Sequence, residues 1–183
     1  MIDFLIVLIF AFFSLFCIFW CTKKVFEMIY PLKYVHEIES AMSNCDVEKE
    51  LIYAIIKCES GFDANATSRA GACGLMQITP ETFDWIKNHV KKLPEGYTPD
   101  LYDPKTNILY GVTFISVLRN KYGDDVKVLS AYNAGMTAVD RWLSSQNGSK
   151  YNDEFGYIEY PETKEYVKRV LRARKIYKKL YFD

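Results

Sequence analysis

Apolar side chains recur at helical spacing along most of the chain, and no stretch alternates with the period of two that a long strand requires. The pattern is clearest in residues 47–58, where the apolar positions of one helical face are Leu51, Ile52, Ile55 and Ile56. The last helical stretch begins at Pro161, and its inward stripe is Tyr166, Val167, Val170, Leu171 and Tyr177. This periodicity predicts an all-α domain with residues 47–58 as its central core helix.

Proline, glycine and capping residues indicate where the helices begin and end. A short helix is expected over 34–42, after Pro31 ends the preceding one, and Asp46 is placed to cap helix 47–58. The remaining boundary signals are Thr79-Pro80, Asp103-Pro104, Gly123, Asp124, Gly135 and Pro161, with one more short helix at 137–144. Residues 61–74 and 144–160 are polar, and the first of these loops is rich in small residues, so a site is expected there.

The chain begins with a long apolar run. Residues 4–21 are apolar except for Ser14, and the run ends with Trp20 before Lys23 and Lys24. Eighteen residues in a helix extend about 27 Å, which is enough to cross the hydrocarbon core of a bilayer. We therefore expect a transmembrane anchor at 1–21, a connector with a short helix at 22–44, and a catalytic domain at 45–183.

Two other interpretations of this run remain open. A cleaved signal peptide would need a charged start and small residues at its end, whereas Asp3 stands near the start and Phe19 and Trp20 near the end. Lipidation at Cys17 or Cys21 is disfavoured because bulky residues precede both. Lys23 and Lys24 alone would keep the following domain in the cytoplasm, but the chemistry described below favours the outside.

Composition narrows the function classes. The 183 residues include 23 basic and 23 acidic side chains, so net charge favours neither nucleic acid nor an acidic polymer as the main partner. His36 and His89 are too separated for a zinc site, and the cysteines lack metal-ligand spacing. Cys45, Cys58 and Cys73 are interpreted as small buried residues, with a disulfide among them left open. No metal or cofactor is expected.

Glu59 is the candidate catalytic residue. It stands at the C-terminal end of the apolar helix 47–58, where the negative end of the helix dipole and burial would both raise its pKa. A shift from about 4.3 to roughly 6 or 7 corresponds to about 3 kcal/mol and would suit a general acid. The alternative is an exposed glutamate at a frayed helix end, which position alone does not exclude.

Three blocks of sequence resemble the family of soluble lytic transglycosylases, whose catalytic domain has a goose-type lysozyme fold. They are Glu59-Ser60 with GACGLMQITP at 71–80, AYNAG at 131–135, and YPETKEYV at 160–167. One block alone would be weak, but three blocks in order at family-like separations make the likeness specific. The resemblance therefore implies an all-α, lysozyme-like domain.

At matching positions the resemblance implies that Glu59 is the catalytic acid and base. It also implies that the glycan groove is lined by Ser68, Met76, Gln77, Tyr132, Asn133 and Glu162. Met76 would offer an apolar surface to a sugar face, and the Gln77 amide could both donate to and accept from an N-acetyl group. Core filling for Met76, a loop hydrogen bond for Gln77 and a favourable helix-dipole position for Glu162 are the structural alternatives.

The function implied is cleavage of the β-1,4 linkage between N-acetylmuramic acid and N-acetylglucosamine in peptidoglycan, with 1,6-anhydromuramic acid ends. We expect a monomer without cofactor, held in the cell membrane by one span, with its domain outside. One alternative is a hydrolytic muramidase, with Asp63 or Glu81 as a second carboxylate. Another is a catalytically silent wall-binding module. The basic residues of the last helix are interpreted as a solvated face, with a contact to anionic wall polymers or lipid headgroups left open.

Overall fold

The computed structural model of the chain describes residues 2–43, 45–145 and 154–183. Within them the fold is all-α, as predicted, and β-pairing is limited to two isolated bridges, Thr67 with Cys73 and Cys73 with Ile78. The helices are α1 (Ile2–Ile29), α2 (Val35–Met42), α3 (Lys49–Glu59), α4 (Pro80–His89), α5 (Pro104–Tyr122), α6 (Asp125–Ala134), α7 (Met136–Ser144) and α8 (Pro161–Tyr177), followed by a π-helical segment, Lys178–Phe182.

Helix α3 is the central element of the core, which confirms the prediction made from its apolar face. Every residue from Leu51 to Ile56 is buried, so α3 is covered on all sides over this length. It packs mainly on α8, while α2 packs on α5 and α6 contacts both α5 and α8. The pairing of α3 with α8 brings the C-terminal end of α3 beside the first turns of α8.

Three of the predicted helix starts have the expected caps. The side chains of Thr79, Asp103 and Asp124 each accept a hydrogen bond from the backbone N–H three residues later, at the starts of α4, α5 and α6. Such bonds satisfy backbone donors that have no partner within the helix. The helix that was expected at 137–144 begins at Met136, directly after Gly135.

The predicted cap of α3 is wrong. Helix α3 begins at Lys49, two residues later than expected, and its N-cap position is occupied by Glu48 rather than Asp46. The Glu48 side chain makes no capping bond; its carboxylate lies 3.4 Å from Arg119 and 3.2 Å from Arg174. Ion pairs to α5 and α8 therefore hold this helix start, and the sequence around Asp46 carries no sign of those distant partners.

Helix α1 continues beyond the apolar run and ends just before Pro31, as expected. Its end is attached to the C-terminal segment, because the Tyr181 hydroxyl donates to the Tyr30 carbonyl at 2.8 Å and that of Tyr177 to the Pro31 carbonyl at 3.3 Å. The predicted transmembrane span is not confirmed: among the described residues, no helix combines the length and apolar character needed to cross a membrane. The division at 21 and 44 stays a prediction.

The cysteines are unpaired. All five are free thiols, including the partly buried Cys45, Cys58 and Cys73, so the disulfide left open by the sequence is not formed. Their partial burial agrees with the interpretation as small filling residues. Of the polar loop predicted at 144–160, residues 146–153 lie outside the described residues.

Candidate active site

Glu59 is the last residue of α3, and the chain turns sharply after it. Gly61 and Phe62 both have positive φ, at 61° and 71°, so the backbone reverses within two residues of the helix end. The Ser60 hydroxyl lies 2.8 Å from the Leu75 carbonyl and accepts from the Phe62 N–H at 3.1 Å. These bonds hold the loop that carries Gln77 against the end of α3.

Burial raises the pKa of Glu59 to about 7. Two neighbours on α8 oppose the shift: the Tyr166 hydroxyl and the Arg169 guanidinium both stabilise the carboxylate and lower its pKa. The net result is a carboxyl group that is about half protonated near neutral pH. It can donate a proton and later accept one, which agrees with the pKa expected from the sequence.

Two tyrosines, the buried Tyr166 and the partly buried Tyr132, lie near this carboxyl group. The pKa values of Tyr132 and Tyr166 are raised well above the ordinary range by burial and by the negative charge of Glu59. Both phenols therefore stay neutral at ordinary pH and keep a hydroxyl hydrogen that they can donate. The Tyr166 hydroxyl acts on Glu59, yet it has no hydrogen-bond partner of normal geometry among the described residues.

The structure brings Tyr132 and Met76 together, but it does not place the Met76 side chain where a ligand could touch it. The Tyr132 hydroxyl donates to the Met76 carbonyl at 2.7 Å, and its ring lies 5.6 Å from that of Phe114. The Met76 side chain is fully buried, where a Cβ on Gly111 would meet its sulfur at 2.3 Å. The expected contact between this side chain and a sugar face is therefore not supported, because the side chain is packed in the hydrophobic core.

Asn107 is a residue of this region that sequence reasoning missed. It is fully buried on α5, and its Oδ1 accepts from the Met76 N–H at 2.7 Å. Its Nδ2 donates to the carbonyls of Cys73 and Leu101 at 2.8 and 2.7 Å. The Gly74 backbone lies so close to Asn107 that a Cβ on Gly74 would be 2.4 Å from Asn107 Nδ2. No local pattern distinguishes Asn107 from a surface asparagine, since its partners are more than thirty residues away or in another loop.

Ser68 and Gln77 lie in the loop between α3 and α4. The Ser68 hydroxyl is exposed and accepts from the Ala72 N–H at 3.0 Å. Gln77 has a φ of 49°, and its Nε2 donates to the carbonyls of Ala66 at 3.1 Å and Gly74 at 2.9 Å. Both amide hydrogens are used within the loop, so in this conformation Gln77 can only accept from a ligand.

Asn133, near the end of α6, contacts the start of α8 at the residue that follows Glu162. The Thr163 hydroxyl donates to Asn133 Oδ1 at 2.8 Å, and Thr163 directly follows Glu162. Both Asn133 and Glu162 are exposed. Glu162 lies in the first turn of α8, where the helix dipole favours a carboxylate in any case.

Among the described residues, no second carboxylate alters the pKa of Glu59. The groups that alter its pKa are Tyr166 and Arg169, whereas a carboxylate at catalytic distance would raise the pKa further. Asp63 is exposed and accepts from the Asn65 N–H at 2.9 Å, which is a local turn contact. Glu81 is exposed in the first turn of α4. The described residues also contain no group of three side chains that could hold a metal ion.

Comparison with known proteins identifies the family. Residues 36–155 match the transglycosylase SLT domain, which is well over half of the chain. The chain belongs to this family. The match begins within α2 and covers the end of α3, the following loop and the α6–α7 turn, so it includes Glu59 and every candidate groove residue except Glu162.

Similarity to individual members agrees with this assignment. The chain is 32% identical to the soluble lytic murein transglycosylase of Escherichia coli K12 over 153 residues, which are 79% of this chain and 23% of that protein. It is 36% identical to the membrane-bound lytic murein transglycosylase C of Haemophilus influenzae over 118 residues, 60% of this chain and 33% of that one. The crystal structure of the 70 kDa soluble lytic transglycosylase of Escherichia coli superposes with a TM-score of 0.78 at 30% identity, covering 86% of this chain and 26% of that one.

Two consequences follow for the SLT domain. The fold is the lysozyme-like one expected from the three sequence blocks. The chain spans about a quarter of the length of the soluble relative, so only the part around the site is compared.

Tyr166 and Arg169 were not selected as site residues from the sequence, although they follow Glu162 by four and seven positions and therefore share its helical face.

Proposed function

We propose that the SLT domain is a peptidoglycan lytic transglycosylase in which Glu59 is the single acid and base. The observation that carries the proposal is a partly buried carboxyl group with a pKa of about 7, on which no other carboxylate of the described residues acts. A group with this pKa can change protonation state twice in one turnover near neutral pH. The names of the related proteins, which are lytic murein transglycosylases, support the same substrate class.

The proposed reaction uses nucleophiles of the substrate. Glu59 protonates the oxygen that leaves between N-acetylmuramic acid and N-acetylglucosamine, and the N-acetyl oxygen of the muramic acid attacks its own C1 as that bond breaks. The ionised Glu59 then removes the proton of the 6-hydroxyl, whose oxygen displaces the N-acetyl oxygen from C1. No water is consumed, so one fragment ends in 1,6-anhydromuramic acid. The tethered 6-hydroxyl has a large effective concentration advantage over solvent.

The remaining candidate residues are proposed to position the glycan. The exposed side chains of Ser68, Asn133 and Glu162 can reach a ligand directly, and Gln77 is available as an acceptor for an amide N–H. Tyr132 acts through the Met76 carbonyl by holding the loop in place. For Met76 we propose a positioning role, since its buried side chain fills the space beside Gly111.

Zymography on purified cell wall tests the proposal. Glu59→Gln is nearly isosteric but cannot deliver a proton, so we expect it to remove clearing while leaving sedimentation with the wall intact. Glu81→Gln is the matched control, because it neutralises an exposed carboxylate in the first turn of α4. Clearing by Glu59→Gln at the level of the unaltered chain would contradict the assignment. Loss of clearing in Glu81→Gln would favour a two-carboxylate hydrolase instead.

We also propose that α1 holds the SLT domain at the outer face of the cell membrane. Large apolar side chains on its outer surface are more than half exposed: Phe12, Phe13, Leu15, Phe16, Ile18, Phe19 and Trp20. An apolar surface of this extent is unusual on a protein surrounded by water and favours contact with lipid. One of the related proteins is named as membrane-bound.

Membrane fractions test the location. We expect the chain to sediment with membranes, to resist extraction by alkaline carbonate, and to be removed by protease added to cells whose outer face is accessible. Release by carbonate would indicate that α1 lies on the surface instead of crossing the bilayer. Recovery only in the soluble fraction would contradict the proposal.

A further inference from the structure

A second concave site lies beside the last turn of the catalytic helix and shares Arg169 with the surroundings of Glu59. It is a pocket of about 400 Å³ at the meeting point of the end of α1, the last turn of α3 and the middle of α8. Its lining consists of Tyr30, Lys57, Cys58, Arg169, Arg172 and Ala173. Lys57 and Cys58 immediately precede Glu59, so the pocket begins where the catalytic helix ends.

The pocket is strongly basic. Three of its lining residues are cations, and no carboxylate of the described part of the chain lines it. Lys57, Arg169 and Arg172 form no ion pair with any residue that the structure describes, although other cations of α8 do, as Lys168 with Glu165. The Lys57 ammonium lies 5.7 Å from the centre of the Tyr30 ring, and the Arg169 guanidinium lies 5.7 Å from that of Tyr166. Among the described residues Lys57 and Arg172 have no counter-ion, and Arg169 has only Glu59 beside it, so the net positive charge of the pocket favours an anionic ligand.

A second groove is larger than this pocket, and its lining contains both acidic and basic side chains. Its volume is about 1030 Å³ and it lies along α6 and α8, where Asp124, Asp125 and Glu154 accompany the basic side chains. Asp125 is already paired with Arg119 and Arg174. Carboxylates lie among the cations of that groove and pair with Lys127 and Arg174, whereas the charged residues described in the lining of the smaller pocket are all cations.

We propose that this basic pocket binds a carboxylate of the peptide stem attached to the muramic acid next to the cleaved bond. The inference rests on the proposed function, because peptidoglycan brings peptide carboxylates close to every muramic acid. A lipid phosphate is the other source of an anion, but Tyr30 follows Trp20 by ten residues, which places the pocket about 15 Å along the helix from the expected membrane interface. Exposed charges beyond about 10 Å are largely screened, so the peptide stem is the better match.

The experiment compares two forms of one substrate. The full chain is assayed on glycan strands with intact peptide stems and on strands from which an amidase has removed them. Lys57→Gln combined with Arg172→Gln removes two pocket charges without touching the groups that set the protonation of Glu59. Lys91→Gln combined with Lys92→Gln is the control, because it removes two exposed charges beyond the end of α4. Arg172 also lines the larger groove, so single Lys57→Gln is included to separate the two sites.

On stemmed strands we expect kcat/KM of the pocket variant to fall about tenfold through KM, equivalent to about 1.4 kcal/mol, while stripped strands are cut as by the unaltered chain. Lys57→Gln alone should show part of this effect, and the control pair none. Equal loss on both substrates, or no loss on stemmed strands, would overturn the inference. Loss of binding to vesicles containing anionic phospholipid, with unchanged cleavage of stemmed strands, would overturn it in favour of lipid. Inactivity of the unaltered chain on both substrates would instead refute the proposed function.

Discussion

Replacing Glu59 by glutamine should make the protein more stable at alkaline pH than the unaltered chain. Burial raises the pKa of this carboxyl group from 4.5 to about 7. A raised carboxyl pKa means that the folded state holds the proton more tightly than the unfolded state, so stability falls as pH rises between these two values. At about 1.36 kcal/mol per unit, the loss amounts to about 3 kcal/mol once the folded-state pKa is passed.

Glutamine carries no charge at any pH and therefore avoids this loss. We expect the free energy of unfolding of Glu59→Gln, relative to that of the unaltered chain, to rise by about 3 kcal/mol between pH 4 and pH 8.5. The assay is urea unfolding of both full chains in the same mild detergent, followed by near-ultraviolet circular dichroism at several pH values. Glu81→Gln controls for the removal of an exposed carboxylate. A difference that stays constant across this pH range would refute the idea that Glu59 is buried at a cost.

Three further substitutions test the surroundings of the site. Tyr166→Phe removes a hydroxyl that lowers the pKa of Glu59, so the alkaline limb of the pH–rate profile should move to higher pH; an unchanged limb would argue against this contact. Asn107→Ala should cost about 3 kcal/mol in urea unfolding, because it leaves buried backbone groups unpaired, and a loss below about 1 kcal/mol would contradict the anchoring role. Gly74→Ala would place a Cβ 2.3 Å from the Leu101 carbonyl oxygen at a φ of +74°. We expect it to lower the free energy of unfolding by about 2 kcal/mol or more, and neutral behaviour would show that the loop can move.

Helix positions could be predicted from the sequence because their causes are local. Thr79, Asp103 and Asp124 cap their helices through bonds that reach only three residues along the chain. The core-facing side of α3 follows from the helical spacing of Leu51, Ile52, Ile55 and Ile56. These features depend on neighbours that are visible within one turn of helix.

Features that depend on distant parts of the chain could not be predicted. Asp46 is well placed to cap α3, but Glu48 takes that position because Arg119 and Arg174 reach it from α5 and α8. Met76 was expected to contact a sugar face, because the sequence does not reveal that Gly111 leaves room for its side chain in the core. Arg169 and Arg172 belong to the basic residues of the last helix that were interpreted as a solvated face, and the sequence does not reveal that Lys57 of α3 lines the same pocket.

The chemical form of the cleaved ends tests the central claim most directly. Purified peptidoglycan is digested with the full chain, and the fragments are analysed by mass spectrometry. A single buried carboxyl group that relies on the 6-hydroxyl of the substrate predicts fragments ending in 1,6-anhydromuramic acid, each lighter by one water than a hydrolytic fragment. Fragments that carry only reducing muramic acid ends would contradict the account and indicate that water is the nucleophile.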